Sequence, residues 1–209
     1  MKGLAATASL LLLFSGALSA QEYSHFTFSG GGGFTQPVGN TGRQLDTEWN
    51  IQGGAGVNFS QYFGTVVQLQ YDRMGVNSFT LNNLGFPGGD LSVFSATIDP
   101  IVHLTPRGHA DVYLIGGGGW YRRNQEFTAP SVATVTAFNP FFGFYLANVP
   151  SNVVLAQYSV NKPGVNGGMG VAFGSMWGGK FFAEARYHRI LMGSYGHTDY
   201  IPVTFGFRY

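Results

Sequence analysis

Hydrophobic and polar positions alternate along this chain in steps of two. In "WNIQGGAGVNFS", Trp49, Ile51, Gly53, Ala55, Val57 and Phe59 fall on one side, and Asn50, Gln52, Gly54, Gly56, Asn58 and Ser60 on the other. Successive strand side chains point to opposite faces, so the pattern reads as strand with one apolar and one polar face. "HFTFSGGGGF" repeats the split, with Phe26, Phe28, Gly30, Gly32 and Phe34 opposite Thr27, Ser29, Gly31, Gly33 and Thr35. Continuing this reading predicts strands near 23–36, 48–60, 65–75, 92–104, 109–123, 161–174, 180–191 and 200–209. Connections at 61–64, 105–108 and 175–179 are tight, with Pro106, Gly108, Gly178 and Gly179 as turn residues. The others, near 36–47, 74–91, 124–160 and 192–199, are longer.

Short turns at one rim and long loops at the other are the asymmetry of a transmembrane, up-and-down antiparallel β-barrel. Such a barrel is all-β, and its first and last strands pair because no open sheet edge survives in lipid. The count is eight strands; ten is the alternative, if "ATVTAF" and "VVLAQYSV" within 124–160 form a further hairpin. The closing strand is 200–209, with Ile201, Val203, Phe205, Phe207 and Tyr209 toward lipid.

Composition separates this reading from a soluble barrel with its apolar face inward. Only 10% of residues are charged, against about 25% in soluble domains, while 44% are hydrophobic and 16% aromatic. A solvent-facing skin cannot be made from so few charges. No later segment approaches the roughly 20 apolar residues of a membrane helix. Residues 1–20 read as a cleaved signal peptide, with Lys2 before the apolar stretch Leu4 to Phe14 and small residues from Ser15 to Ala20. The exported barrel then occupies 21–209, with a long third extracellular loop at about 124–160. The chain has no cysteine, which excludes a disulfide framework, and its net charge of +1 gives no case for nucleic acid.

The sequence resembles the small eight-stranded outer-membrane barrels of the OmpA and OmpX type, a porin-like group. In that family a C-terminal strand ending in an aromatic is recognised by the barrel-assembly machinery, and Phe207 and Tyr209 match it. The family pattern also carries a glycine five residues from the end and a polar residue two before it, where Thr204 and Pro202 stand here. The resemblance implies the outer membrane of a diderm bacterium, contact with its lipid, and a role in the cell envelope.

Parity sends Glu48, Asp72, Asp99, Asp111, Arg123, Lys162, Glu184, Arg186, His188 and Arg208 into the lumen. An eight-stranded barrel is just wide enough for side chains to fill it, so these predict a structural ion-pair network that plugs the tube, with a narrow pore as the alternative. The glycine runs Gly30–Gly33 and Gly116–Gly119 lack the spacing and the following helix of a phosphate loop. There is no metal-ligand pattern and no cofactor motif. Of the histidines His25, His103, His109, His188 and His197, only His197 has Ser194 and Asp199 beside it in an extracellular loop, and the spacing alone makes no triad. A lipid-modifying enzyme is therefore the least favoured reading.

The long loop carries Phe138, Phe141, Phe142, Phe144 and Tyr145 in "FNPFFGFYL", which has no charge. An apolar cluster outside the membrane predicts a contact patch for an extracellular or envelope protein partner, or a plug folded onto the rim. The function expected is thus non-catalytic: envelope integrity, adhesion or partner binding through the extracellular loops.

Overall fold

The computed structural model describes residues 25–209 apart from 109, 175–178 and 194–195; the expected leader lies outside the described residues. Eight antiparallel strands close into a barrel in chain order. They are β1 (Phe26–Pro37), β2 (Leu45–Asn58), β3 (Phe63–Val76), β4 (Gly88–His103), β5 (Ala110–Asn139), β6 (Gly143–Gly174), β7 (Lys180–Leu191) and β8 (His197–Arg208). β1 pairs with β8 from Ser29↔Arg208 to Pro37↔Tyr200. Beyond that ladder, Phe28 and Tyr209 exchange backbone hydrogen bonds of 2.9 and 2.8 Å.

The outer face is the apolar one. Val67, Leu69, Ile98, Val165 and Met169 are exposed there, between two aromatic rings of residues. The extracellular ring includes Phe34, Trp49, Tyr71, Phe94, Trp120 and Tyr187; Trp49 lies 5.5 Å from Tyr71 and Phe94 6.0 Å from Trp120. The periplasmic ring includes Phe26, Phe63, Phe181, Phe207 and Tyr209, with Phe181 and Phe207 edge to face at 5.4 Å. From Phe63 to Tyr71 is the roughly nine-residue span that a tilted strand needs to cross a bilayer. Immediately above the outer ring the same face turns charged, with Arg73 between Glu48 (3.0 Å) and Asp90 (2.8 Å).

The connections contain more order than the sequence pattern predicts. A helix α1 (Ser78–Leu84) stands in the β3–β4 connection. The Asn77 side chain caps it by accepting from the Thr80 amide at 2.9 Å, and Gly85 ends it in the left-handed conformation at φ 74°. A short 3-10 turn (Thr41–Arg43) bends the β1–β2 connection.

The stretch expected as a third loop, 124–160, is instead the continuation of β5 and β6 as one hairpin. "ATVTAF" and "VVLAQYSV" lengthen these strands rather than adding a ninth and tenth. β4 stops pairing at Gly88↔Thr128. From Ala129↔Val153 to Asn139↔Gly143 the hairpin stands alone, which at about 3.3 Å per residue carries its tip roughly 35 Å further along the strand direction. Pro140 opens the turn, Asn139 Oδ1 accepts from the Phe141 amide at 2.8 Å, and Gly143 takes the left-handed position at φ 77°.

Candidate functional site: the lumen, the outer mouth and the hairpin

The lumen is filled in layers. On the periplasmic side Val66, Ile101, Tyr113, Ile115, Ala172 and Phe182 pack together. Toward the outside lies a second apolar cluster that includes Met74, Leu91, Val93, Tyr121, Ile190 and Tyr200. Inward-facing glycines make room for the large rings: a Cβ on Gly164 would sit 2.7 Å from the Tyr121 ring, and one on Gly170 would strike Tyr113.

Between these layers sits a polar network centred on Arg186. Its Nε donates to Glu184 Oε1 at 2.6 Å, one terminal nitrogen donates to Asp99 Oδ2 at 2.8 Å, and the other donates to Gln68. Glu184 also accepts from Tyr113 at 2.9 Å and faces Arg208 at 3.8 Å. Asp99 accepts from Thr97 at 2.7 Å and Asn166 at 2.8 Å. With Arg186, Glu184 and Asp99 all buried, every charge here has a charged partner and further hydrogen bonds, the condition for tolerating ions away from water. Gln52, Gln68 and Gln70 continue the network to Asp72.

Not all of the sequence-predicted lumen residues join its ion pairs. Asp72 is fully buried but is held by neutral donors, Thr35 at 2.6 Å and Gln70 at 2.8 Å, and not by a cation. His188 is also buried, within 3.1 Å of the Tyr121 hydroxyl and stacked on Tyr200 at 5.1 Å. Asp111 pairs near the periplasmic mouth with His103 at 2.6 Å, and Arg208 covers the ring of Tyr113 at 4.5 Å. Glu48 departs from the expectation: a bulge between Thr47 and Asn50 breaks the two-residue period, and its carboxylate meets the outward Arg73. Arg123 and Lys162 keep inward parity but lie at the outer end, and neither forms an ion pair among the described residues.

The extracellular histidine is committed elsewhere. His197 Nε2 lies 3.1 Å from Asp199 Oδ2, and that carboxylate is already gripped by Arg189 through both oxygens, at 2.9 and 3.0 Å. Ser194 and His109 lie outside the described residues. No group of three or more metal-ligating side chains occurs among the described residues.

The chain has the fold of the small outer-membrane barrels. Neisserial surface protein A superposes with a TM-score of 0.56 at 12% identity, over 88% of this chain and 96% of that one. Ail, the attachment invasion locus protein of Yersinia pestis, crystallised with the heparin analogue sucrose octasulfate, gives 0.52 at 18% identity, over 89% and 100% of the two chains. No protein-family model and no curated protein matches the sequence. Within this outer-membrane barrel the apolar belt faces lipid, and the β5–β6 hairpin stands on the side away from the tight turns.

That hairpin is the other notable surface. Residues 127–161 contain no Asp, Glu, Lys or Arg. Phe141 and Phe142 at its tip are 90% and 85% exposed, and Phe138, Phe144 and Tyr145 are exposed beside them. The aromatic patch thus stands at the far end of a hairpin and does not fold down as a plug.

Proposed function

We propose that this is a non-catalytic surface-contact protein, in which the barrel is the anchor and the β5–β6 hairpin is the contact element for an extracellular or envelope protein. The observation that carries this reading is the exposed tip at Phe141 and Phe142 on a charge-free hairpin. Apolar area left in water is unfavourable by about 25 cal/mol per Å². An isolated two-stranded hairpin is also marginal in water, so a covering partner stabilises both the surface and the element. The attachment invasion locus name of one structural neighbour is in keeping with this reading.

Replacing Phe141 and Phe142 together by serine tests it. Heat resistance of the barrel is expected to change by no more than about 0.5 kcal/mol, as for surface positions generally. Attachment of cells bearing the protein to a host-cell or extracellular-matrix surface should fall to the level of cells without it. Unchanged attachment, or cleavage of 138–146 by protease in intact cells at the same rate with and without that surface, would sink the reading.

A passive pore is disfavoured by the apolar cluster around Leu91, Tyr121 and Tyr200, which closes the lumen above the ion network. Purified protein in planar bilayers is accordingly expected to give no steady conductance steps. We further propose that Phe207 and Tyr209 act in recognition by the assembly machinery as well as in packing. Removing Tyr209 is then expected to reduce insertion in cells more than it reduces folding into micelles; equal losses would leave packing as its whole role.

A further inference from the structure

We propose that the outer mouth of the barrel is a binding cup for an acidic saccharide unit, with Arg123 as the anchor for its carboxylate or sulfate. A cavity of about 330 Å³ opens there, formed by the β1–β2 connection, α1, the base of the β5–β6 hairpin and the start of β8. That is the lower end of the range of small-ligand sites.

Its chemistry is graded. Leu45, Val76 and Met192 form an apolar floor, continuous with the buried cluster beneath. Asn40, Gln44, Thr80 and Thr198 supply amides and hydroxyls at the wall, groups that both donate and accept. Arg123 and Gln125 reach in from β5, joined by a 2.9 Å hydrogen bond from the guanidinium to Gln125 Oε1.

Arg123 is the exception among the partly or fully buried guanidiniums. Arg73, Arg186, Arg189 and Arg208 each meet a carboxylate. Arg123 meets none among the described residues, where its guanidinium donates to the neutral Gln125. Lys162 stands diagonally across the β5–β6 ladder, on the Tyr121↔Lys162 pair next but one to Arg123↔Val160, so the neighbouring charge is of the same sign. An unmatched cation lining a cup is costly without an anion, and the guanidinium fork fits carboxylate or sulfate oxygens. The periplasmic cavity, also about 330 Å³, differs: there Lys180 and His103 both face Asp111, Arg208 faces Glu184, and Arg107, which meets no carboxylate among the described residues, is exposed to solvent and bonded to Gln61 at 3.1 Å.

The remaining features choose the ligand class. A bare inorganic anion has no use for an apolar floor, and a fatty acid has none for a wall of amides and hydroxyls. A pyranose bearing one acidic group uses all three, with its C–H face on Leu45, Val76 and Met192 and its hydroxyls on the wall.

The test is calorimetric titration of the refolded full-length barrel in micelles with three probes: a disaccharide carrying one uronic carboxylate, its methyl ester, and sodium sulfate. The acid is expected to bind saturably, with the ester and sulfate each at least about tenfold weaker. Arg123→Gln should weaken the acid about tenfold or more and leave the ester unchanged, while Gln125→Ala, which leaves Arg123 in place, should weaken it several-fold. Heat-shifted electrophoretic mobility reports that each variant is folded. The proposal is overturned by absence of saturable binding, by equal affinity for acid and ester, by sulfate binding as tightly as the disaccharide, or by a folded Gln125→Ala and Arg123→Gln that both bind the acid as the parent does.

Discussion

Arg186→Leu is expected to lower the unfolding free energy of the barrel by roughly 3–5 kcal/mol, the cost of leaving buried ions without their partner. Arg186 is the only side chain that bridges Glu184 and Asp99 in the described structure, at 2.6 and 2.8 Å. Apolar clusters lie on both sides of it, so water cannot readily replace the lost guanidinium. Reversible urea unfolding in lipid vesicles measures the loss. Adding Glu184→Gln and Asp99→Asn to the same chain should recover most of it, because neutral side chains can then share the remaining hydrogen bonds. A loss below about 1 kcal/mol would mean a hydrated lumen, and it would return the pore reading to contention.

On the other face, Val67→Arg is expected to cost about 2–4 kcal/mol, the penalty for a cation near the bilayer midplane. Val67 points outward, lies midway along β3 between the ring positions Phe63 and Tyr71, and pairs with Ala55 and Ile98. Arginine at Thr47, beyond Trp49 on the extracellular side, should cost only about 0–1 kcal/mol. The same unfolding measurement compares the two. Equal costs at the two positions would show that the belt between the rings is not where the hydrocarbon lies.

The barrel was legible because one rule, alternation by two, governs every membrane-crossing strand, and the scarcity of charge decides which face is outside. The rule fails where its period is interrupted. At Glu48 one bulge turns a predicted lumen acid outward to Arg73. Parity also names a face but not a height: it placed Arg123 and Arg186 on the same side without separating the outer cup from the central network. The pairing of Arg186 with Asp99, 87 positions away in the chain, depends on the stagger of β4 to β7, which no local pattern records.

Two further elements carry signals of their own in the sequence. Asn77 and Gly85 bracket α1 as cap residues at both ends. The β5–β6 extension was obscured because alternation there sets apolar residues against small ones, and because Pro130 and Pro150 suggest breaks. In a two-stranded hairpin both strands are edges, where a proline need sacrifice no ladder bond.

The absence of charge across 127–161 has a consequence before the barrel exists. Until the strands pair, this stretch offers β-branched and aromatic runs such as "SVATVTAF" and "NVVLAQYSV" with no gatekeeping charge among them. Segments of that composition pair with their own kind. Barrel closure therefore competes with self-association of this hairpin's strands, and any delay in pairing β5 with β6 favours the latter.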